Sequence, residues 1–451
     1  MRNHQNLIAS TVAAFVIVPL AILFSAVITA GRDTASGGAA GGDGSAIQIE
    51  LGDLFVKPSK INVTPGQKVK LVVTNNGSVP HDLKVNGTEG TEMLAPGKSQ
   101  TIEVGPLEAT TQAWCTVPGH KQAGMVLTME VAGAAASTGG THAMTTMAQN
   151  SNNAVIDPNA TPAAGWKPFD PALKPAPGGT EHKITLTAEE TIIEVAPGVK
   201  QQMFTFNEQF PGPVLRGKIG DIFTITLVNK GTMGHSIDFH ASKVAWNDEM
   251  RTINPGESLV YQFEAKFSGA FMYHCGTAPV AAHIANGMYG ALLVDPATPR
   301  PSAREFVLVQ SEFYLGPKAG PDSVQSLDWQ RMLDLAPDYV TFNGVASQYA
   351  THPLQVAVGE PVRFYVVNAG PNRVSSFHVV GAVFDRVYLD GFGTPLRGVQ
   401  TFEVPVGGGM IFDVRLGEEG IYPFVSHAFA DATKGAVGML RAGNPPGSAS
   451  H

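Results

Sequence analysis

Apolar and polar residues alternate in short runs along most of the chain. Gly66 to Gly77 is an example: Val69, Leu71 and Val73 fall on one side of an extended segment, and Lys68, Lys70 and Thr74 on the other. Alternation with period two, bounded by turn residues, predicts a half-buried strand. The same segment recurs as Gly220 to Gly231 and Gly359 to Gly370, each with an Asn nine residues after the first Gly and a second Gly two later. In each copy a further strand pair is entered through Gly-rich turns, Pro96-Gly97, Pro255-Gly256 and Gly407-Gly408-Gly409. The copies end at Trp114-Cys115, His274-Cys275 and Ser426-His427. An internal repeat of strand pairs predicts an all-β chain of three β-sandwich domains of one kind. Their expected spans are 46–132, 181–300 and 301–443, with an irregular linker over 133–180, a short helix in Gln325–Leu335 and a tail over 444–451.

Leu7 to Ala30 breaks the pattern with a nearly unbroken apolar run. As a helix at 1.5 Å per residue it would cross a hydrocarbon core of roughly 30 Å. A secretory apolar region usually holds only about 7–15 residues. The run therefore predicts an N-terminal hydrophobic helix that anchors an exported chain on the extracytoplasmic face of a membrane. The alternative is a long cleaved signal and a periplasmic or secreted product. Gly31–Ser45 reads as a tether. A net charge of −8 argues against nucleic-acid partners.

The chain has two cysteines, Cys115 and Cys275. An exported protein could pair them in a disulfide. Each, however, lies among His and Met at ligand spacing. Cys115, His120 and Met125 form Cys-x4-His-x4-Met around Pro118-Gly119, and His81 lies four residues after Gly77. Cys275, His283 and Met288 form Cys-x7-His-x4-Met, and His235 lies four residues after Gly231. Two imidazoles, a thiolate and a weak thioether suit a blue-copper electron-transfer site. Copy three has Val374 near the corresponding place and no cysteine, but it carries His378 and His427.

Adjacent strand residues face opposite ways. His235, Cys275, His283 and Met288 can therefore share one face, while Asp238, His240 and His274 share the other. His240 and His274 offer two ligands to a second metal that needs a third, and three imidazoles with an open position make a catalytic site. An electron can pass between the two sites through the Cys275-His274 linkage, and Asp238 could donate a proton to bound substrate.

From His182 to Gly443 the chain resembles the copper-containing nitrite reductases. The resemblance is carried by His235-Ser236-Ile237-Asp238-Phe239-His240, Tyr273-His274-Cys275, His283 to Gly290, Ser375-Ser376-Phe377-His378 and Val425-Ser426-His427. It implies cupredoxin-like Greek-key sandwiches, a homotrimer or larger assembly, and one type 2 copper per chain beside two type 1 coppers. It also implies that His240 and His274 of one subunit share that copper with His427 of a neighbour, with Asp238 and His378 as the proton-delivering pair. Val380, where many relatives would have Ile, is expected in the substrate pocket. The first copy resembles a plastocyanin- or pseudoazurin-like cupredoxin.

The expected activity is one-electron reduction of nitrite to nitric oxide. The expected electron source is an external cupredoxin, a cytochrome c or a membrane redox protein, with the N-terminal copper as a tethered donor. The alternatives are a multi-domain cupredoxin electron carrier and a multicopper oxidase. The oxidase would need paired His-x-His motifs, which the sequence lacks.

Overall fold

The structure is a computed structural model and describes residues 46–131 and 165–445, apart from 78, 118, 119, 122, 123, 319–322 and 390–392. The Leu7–Ala30 helix, the tether, the Pro118-Gly119 turn, most of the linker and the last tail residues lie outside the described residues. Among the described residues no helix is long and apolar enough to cross a membrane.

The chain is all-β, and each copy builds two facing sheets. In copy one, Phe55–Lys57, Ile47–Gly52, Gln67–Asn75 and Ser99–Leu107 form one sheet. Lys60–Val63, Val126–Val131, Thr111–Trp114, Lys84–Val85 and Glu89–Gly90 form the other. Leu51, Leu71 and Val73 from the first meet Ala113, Leu127 and Met129 from the second in one core. Copies two and three repeat this plan, each around its own buried cluster. A short strand at Val324–Gln325 crosses over to extend copy two's sheet beside Lys200 and Gln201. The expected helix is one short turn, Trp329–Leu333, capped at its N-terminus by the Asp328 side chain.

The repeated Asn has a structural task. Asn75, Asn229 and Asn368 are fully buried. Each Oδ1 accepts the N–H of the Gly two residues on, at 2.9, 2.9 and 3.0 Å. Each Nδ2 donates to two carbonyls: Val79 and Leu94, Met233 and Ile253, Arg373 and Val404. Every polar atom of the amide is thus used to pin one loop, and in copies one and two that loop delivers a histidine. In copy three the bonded carbonyl lies one residue further along, so the loop differs where the histidine is missing.

The strand Gly269–His274 shows how parity divides the chemistry. Tyr273 and Cys275 point into copy two's core, while Ala270 and Met272 point outward into a second apolar cluster. That outer cluster joins them to Val307, Val309, Tyr365 and Ile411 of copy three. Copy one is docked through the turn after its first strand. Leu54 is 3% exposed within copy two's core cluster, and Phe55 stacks on Trp329 with ring centroids 5.9 Å apart. Gly124 comes so close to the Leu327 carbonyl that a Cβ there would lie 2.3 Å from it, so no larger residue fits at this contact.

Candidate metal centres

Both cysteines are free and buried, so there is no disulfide between them. In copy one the ligand-bearing atoms of His81, Cys115 and His120 lie within 4.8 Å of one another, all buried. The Cys115 Sγ is 3.8 Å from His81 Nδ1 and 3.6 Å from His120 Nδ1. The remaining ring nitrogen of His81, Nε2, donates to Asp53 Oδ1 at 3.0 Å, which leaves Nδ1 facing the sulfur. Met125 is fully buried, and its carbonyl accepts the Cys115 N–H at 3.2 Å. Burial pushes the Cys115 thiol up to about 11 and holds His120 down to about 4. A soft cation would displace the thiol proton and meet a His120 imidazole that burial keeps neutral.

In copy two the His235, Cys275 and His283 ligand atoms also lie within 4.8 Å of one another. Here Cys275 Sγ is 4.0 Å from His235 Nδ1 and 3.4 Å from His283 Nδ1. His283 sits in a single helical turn, Val280–Ala285, and Met288 follows with its side chain fully buried. The Ser236 N–H donates to the sulfur at 3.4 Å. Burial raises the Cys275 thiol, but the His235 imidazole and the backbone N–H groups of Ser236 and Thr277 outweigh it, and the net shift is downward. Burial alone holds His283 down to about 4. Both buried sets therefore fit a copper(I/II) ion, each converging two imidazole nitrogens and one sulfur within 4.8 Å, with a buried Met following in sequence.

The opposite face of the same strands holds Asp238, His240 and His274 as a third group within 4.8 Å. Asp238 is paired directly across the sheet from His274. His240 Nδ1 donates to the Gly407 carbonyl of copy three at 2.8 Å, and His274 Nδ1 donates to the Cys275 carbonyl at 2.8 Å. Both Nδ1 protons are thereby committed, and the two Nε2 atoms converge 3.0 Å apart. Second bonds of this kind fix the tautomer and ring orientation of metal-binding imidazoles. The Asp238 Oδ2 lies 3.7 Å from His274 Nε2, so a carboxylate stands at the edge of the same space. Burial, first, and the neighbouring His240 hold His274 below its usual value.

His378 and His427 come together elsewhere, His378 on a strand of copy three and His427 just past the end of the strand paired with it, with ring centroids 4.9 Å apart. His378 Nδ1 donates to the Gln400 carbonyl at 2.5 Å, and the His427 N–H to the Ser376 carbonyl at 2.7 Å. Among the described residues, no potential metal group of one chain includes His427. Val380 is 41% exposed two residues beyond His378, and Phe429, packed edge-on against His427, is 73% exposed.

Sequence reasoning missed Asp53, Asp82 and Ser236. The last two were legible as the residues directly after the ligand histidines, whereas nothing local marks Asp53.

Residues 16–122 match the model of a cupredoxin-like domain and residues 187–299 that of a multicopper oxidase. The copper-containing nitrite reductase of Neisseria gonorrhoeae is 37% identical over 265 residues, covering 57% of this chain and 68% of the relative. That of Pseudomonas chlororaphis is 30% identical over 301 residues, covering 61% of this chain and 81% of the relative. The solved copper nitrite reductase from Nitrosomonas europaea is 35% identical with a TM-score of 0.54, covering 60% of this chain and 96% of that one.

Proposed function

The chain belongs to the copper-containing nitrite reductase family, and from that premise we propose that it reduces nitrite by one electron, with two protons, to nitric oxide and water. The observation that carries this reading is the back-to-back placement of two unlike ligand sets on one strand end. A buried thiolate set, His235, Cys275, His283 and Met288, lies on one face. Two imidazoles with free, converging Nε2 atoms lie on the other. Copper, when bound, supplies a one-electron couple at the thiolate sets and an open Lewis-acid position for nitrite at the imidazole set.

The chain's own residues do the rest. The Cys275-His274 peptide bond is a direct covalent link between the two sets. Asp238, half-buried beside His274, holds a hydrogen bond to the substrate oxygen and passes it a proton. His378, fixed in orientation by the Gln400 carbonyl, takes up a proton from solvent at Nε2 and delivers it as the second proton. His427, whose ring lies 4.9 Å from that of His378, serves as the third imidazole ligand, contributed to the His240 and His274 of a neighbouring subunit in a homotrimer. The 73% exposed Phe429 packed edge-on against His427 is consistent with a surface that a neighbouring subunit covers. Two type 1 coppers and one type 2 copper per chain follow. The first copy's copper is a donor held against copy two, and the chain is exported.

The test is nitric oxide release, read with an electrode under anaerobic conditions, from copper-loaded protein given nitrite and an artificial reductant. Release that disappears in His240→Ala and in His427→Ala supports the reading. Full copper loading and intact blue colour without release would point instead to an electron carrier.

A further inference from the structure

Given that both thiolate sets hold copper, the two sites are built on one frame but carry different charge. In copy one the residue after the ligand His81 is Asp82, 2% exposed. Its two oxygens accept the Thr116 N–H at 2.6 Å and the Thr116 hydroxyl at 2.5 Å. In copy two the corresponding residue is Ser236, whose Oγ accepts the Gly276 N–H at 3.0 Å. Thr116 and Gly276 each follow the ligand cysteine. The same backbone bond is therefore received by a carboxylate in one site and by a neutral hydroxyl in the other.

A second difference has the same sign. His81 Nε2 is bonded to the Asp53 carboxylate, whereas His235 Nε2 is buried with no hydrogen-bond partner among the described residues. Copy two does have a carboxylate on that side. A Cβ on Gly231 would lie 3.1 Å from His235 Nε2 and 3.3 Å from Glu190 Oε1. That Oε1, however, accepts the Thr232 N–H and hydroxyl at 2.9 and 2.8 Å rather than the imidazole. A third difference is burial, since His283 is fully buried and His120 is 9% exposed.

A copper–thiolate centre carries one more positive charge when oxidised than when reduced. Nearby carboxylates favour the oxidised form, and a carboxylate on an imidazole ligand also makes that ligand more basic. Burial without compensating charge favours the reduced form. We propose that the copy-one copper has the lower reduction potential of the two, and that Asp82 and Asp53 set this order. At equilibrium an electron taken from an external one-electron reductant then resides on copy two, beside the His274 set. The two sites face one another. His120 and Val117 of copy one face Met233, Gly234 and Thr277 of copy two across a cleft of about 470 Å³.

The experiment is a spectroelectrochemical titration of the copper-loaded full chain. The blue bands are assigned with Cys115→Ser and Cys275→Ser, each of which leaves one thiolate site. On lowering the potential, the copy-two band is expected to bleach first. Asp82→Asn should raise the reduced-to-oxidised ratio of the copy-one copper at fixed potential by about tenfold or more, as expected for removing a buried charge near the metal, and leave copy two unmoved. Ser236→Asp should move copy two the opposite way, which keeps the inference testable should Asp82→Asn fail to bind copper. A copy-one band that bleaches first would overturn the inference, as would a ratio unchanged by both substitutions. The absence of two blue bands would instead overturn the copper reading beneath it.

Discussion

His235, Cys275 and His283 are wholly buried and converge inside one sandwich. On the other face of the same strands Asp238 and His274 are half-buried and His240 is exposed, and among the described residues a hydrogen bond from His240 to Gly407 ties this set to copy three. The first set is enclosed within copy two: both imidazoles pack against Phe204, and the Ser236 N–H holds the sulfur. The second set is two imidazoles oriented by backbone carbonyls and open on one side. An electron-transfer centre gains from a closed shell that holds one geometry in both oxidation states. A substrate centre needs an opening, and the exposed His240 gives the second set one. The same strand serves both because successive residues face opposite ways.

The comparison breaks most sharply at His427. His427→Ala should lower nitrite turnover by at least about 100-fold, beyond the 10–100-fold typical of losing a ligand's outer partner. Electron paramagnetic resonance should show the type 2 copper signal gone and both type 1 signals intact. Next in size is Cys275→Ser, which should remove one blue band and nearly all turnover, while Cys115→Ser removes the other band and leaves the copy-two site spectrally unchanged. Absorbance and the electrode assay on the same samples check this.

A smaller effect is expected from the amide that pins the ligand loop. Asn229→Ala deletes three buried hydrogen bonds and should cost about 3 kcal/mol of stability at roughly 1 kcal/mol each, read by denaturant unfolding, with weaker copper retention in copy two. Asn75→Ala should do the same in copy one. Smallest is Trp329→Ala, which removes the ring stacked on Phe55. It should cost about 1 kcal/mol, seen as faster proteolysis between copies one and two with both blue bands unchanged.

Much of this was legible in the chain itself, because strand period and repeat spacing are local. The parity of His274 and Cys275 follows from the pleat, and the placement of His81 and His235 follows from their shared distance to the repeat glycines. The role of Asn75, Asn229 and Asn368 was visible only as a recurrence. Their partners are backbone carbonyls, which leave no mark in side-chain identity. Docking of Leu54 into copy two's core and of Phe55 on Trp329, and the crossing of Val324–Gln325 into copy two's sheet, are contacts between distant segments with no periodic signature. Asp53 reaches His81 across such a gap, so no spacing could announce it.

On the reading proposed above the substrate centre is assembled from two chains, and mixing two inactive variants is the decisive experiment. His240→Ala and His427→Ala chains are co-expressed, purified as mixed assemblies, loaded with copper and assayed for nitric oxide release. If His427 serves a neighbour's His240 and His274, about a quarter of the sites in random mixtures receive all three imidazoles, and activity returns from two inactive parents. If mixed assemblies form and stay as inactive as either parent, the three ligands belong to one chain and the account of the centre is wrong.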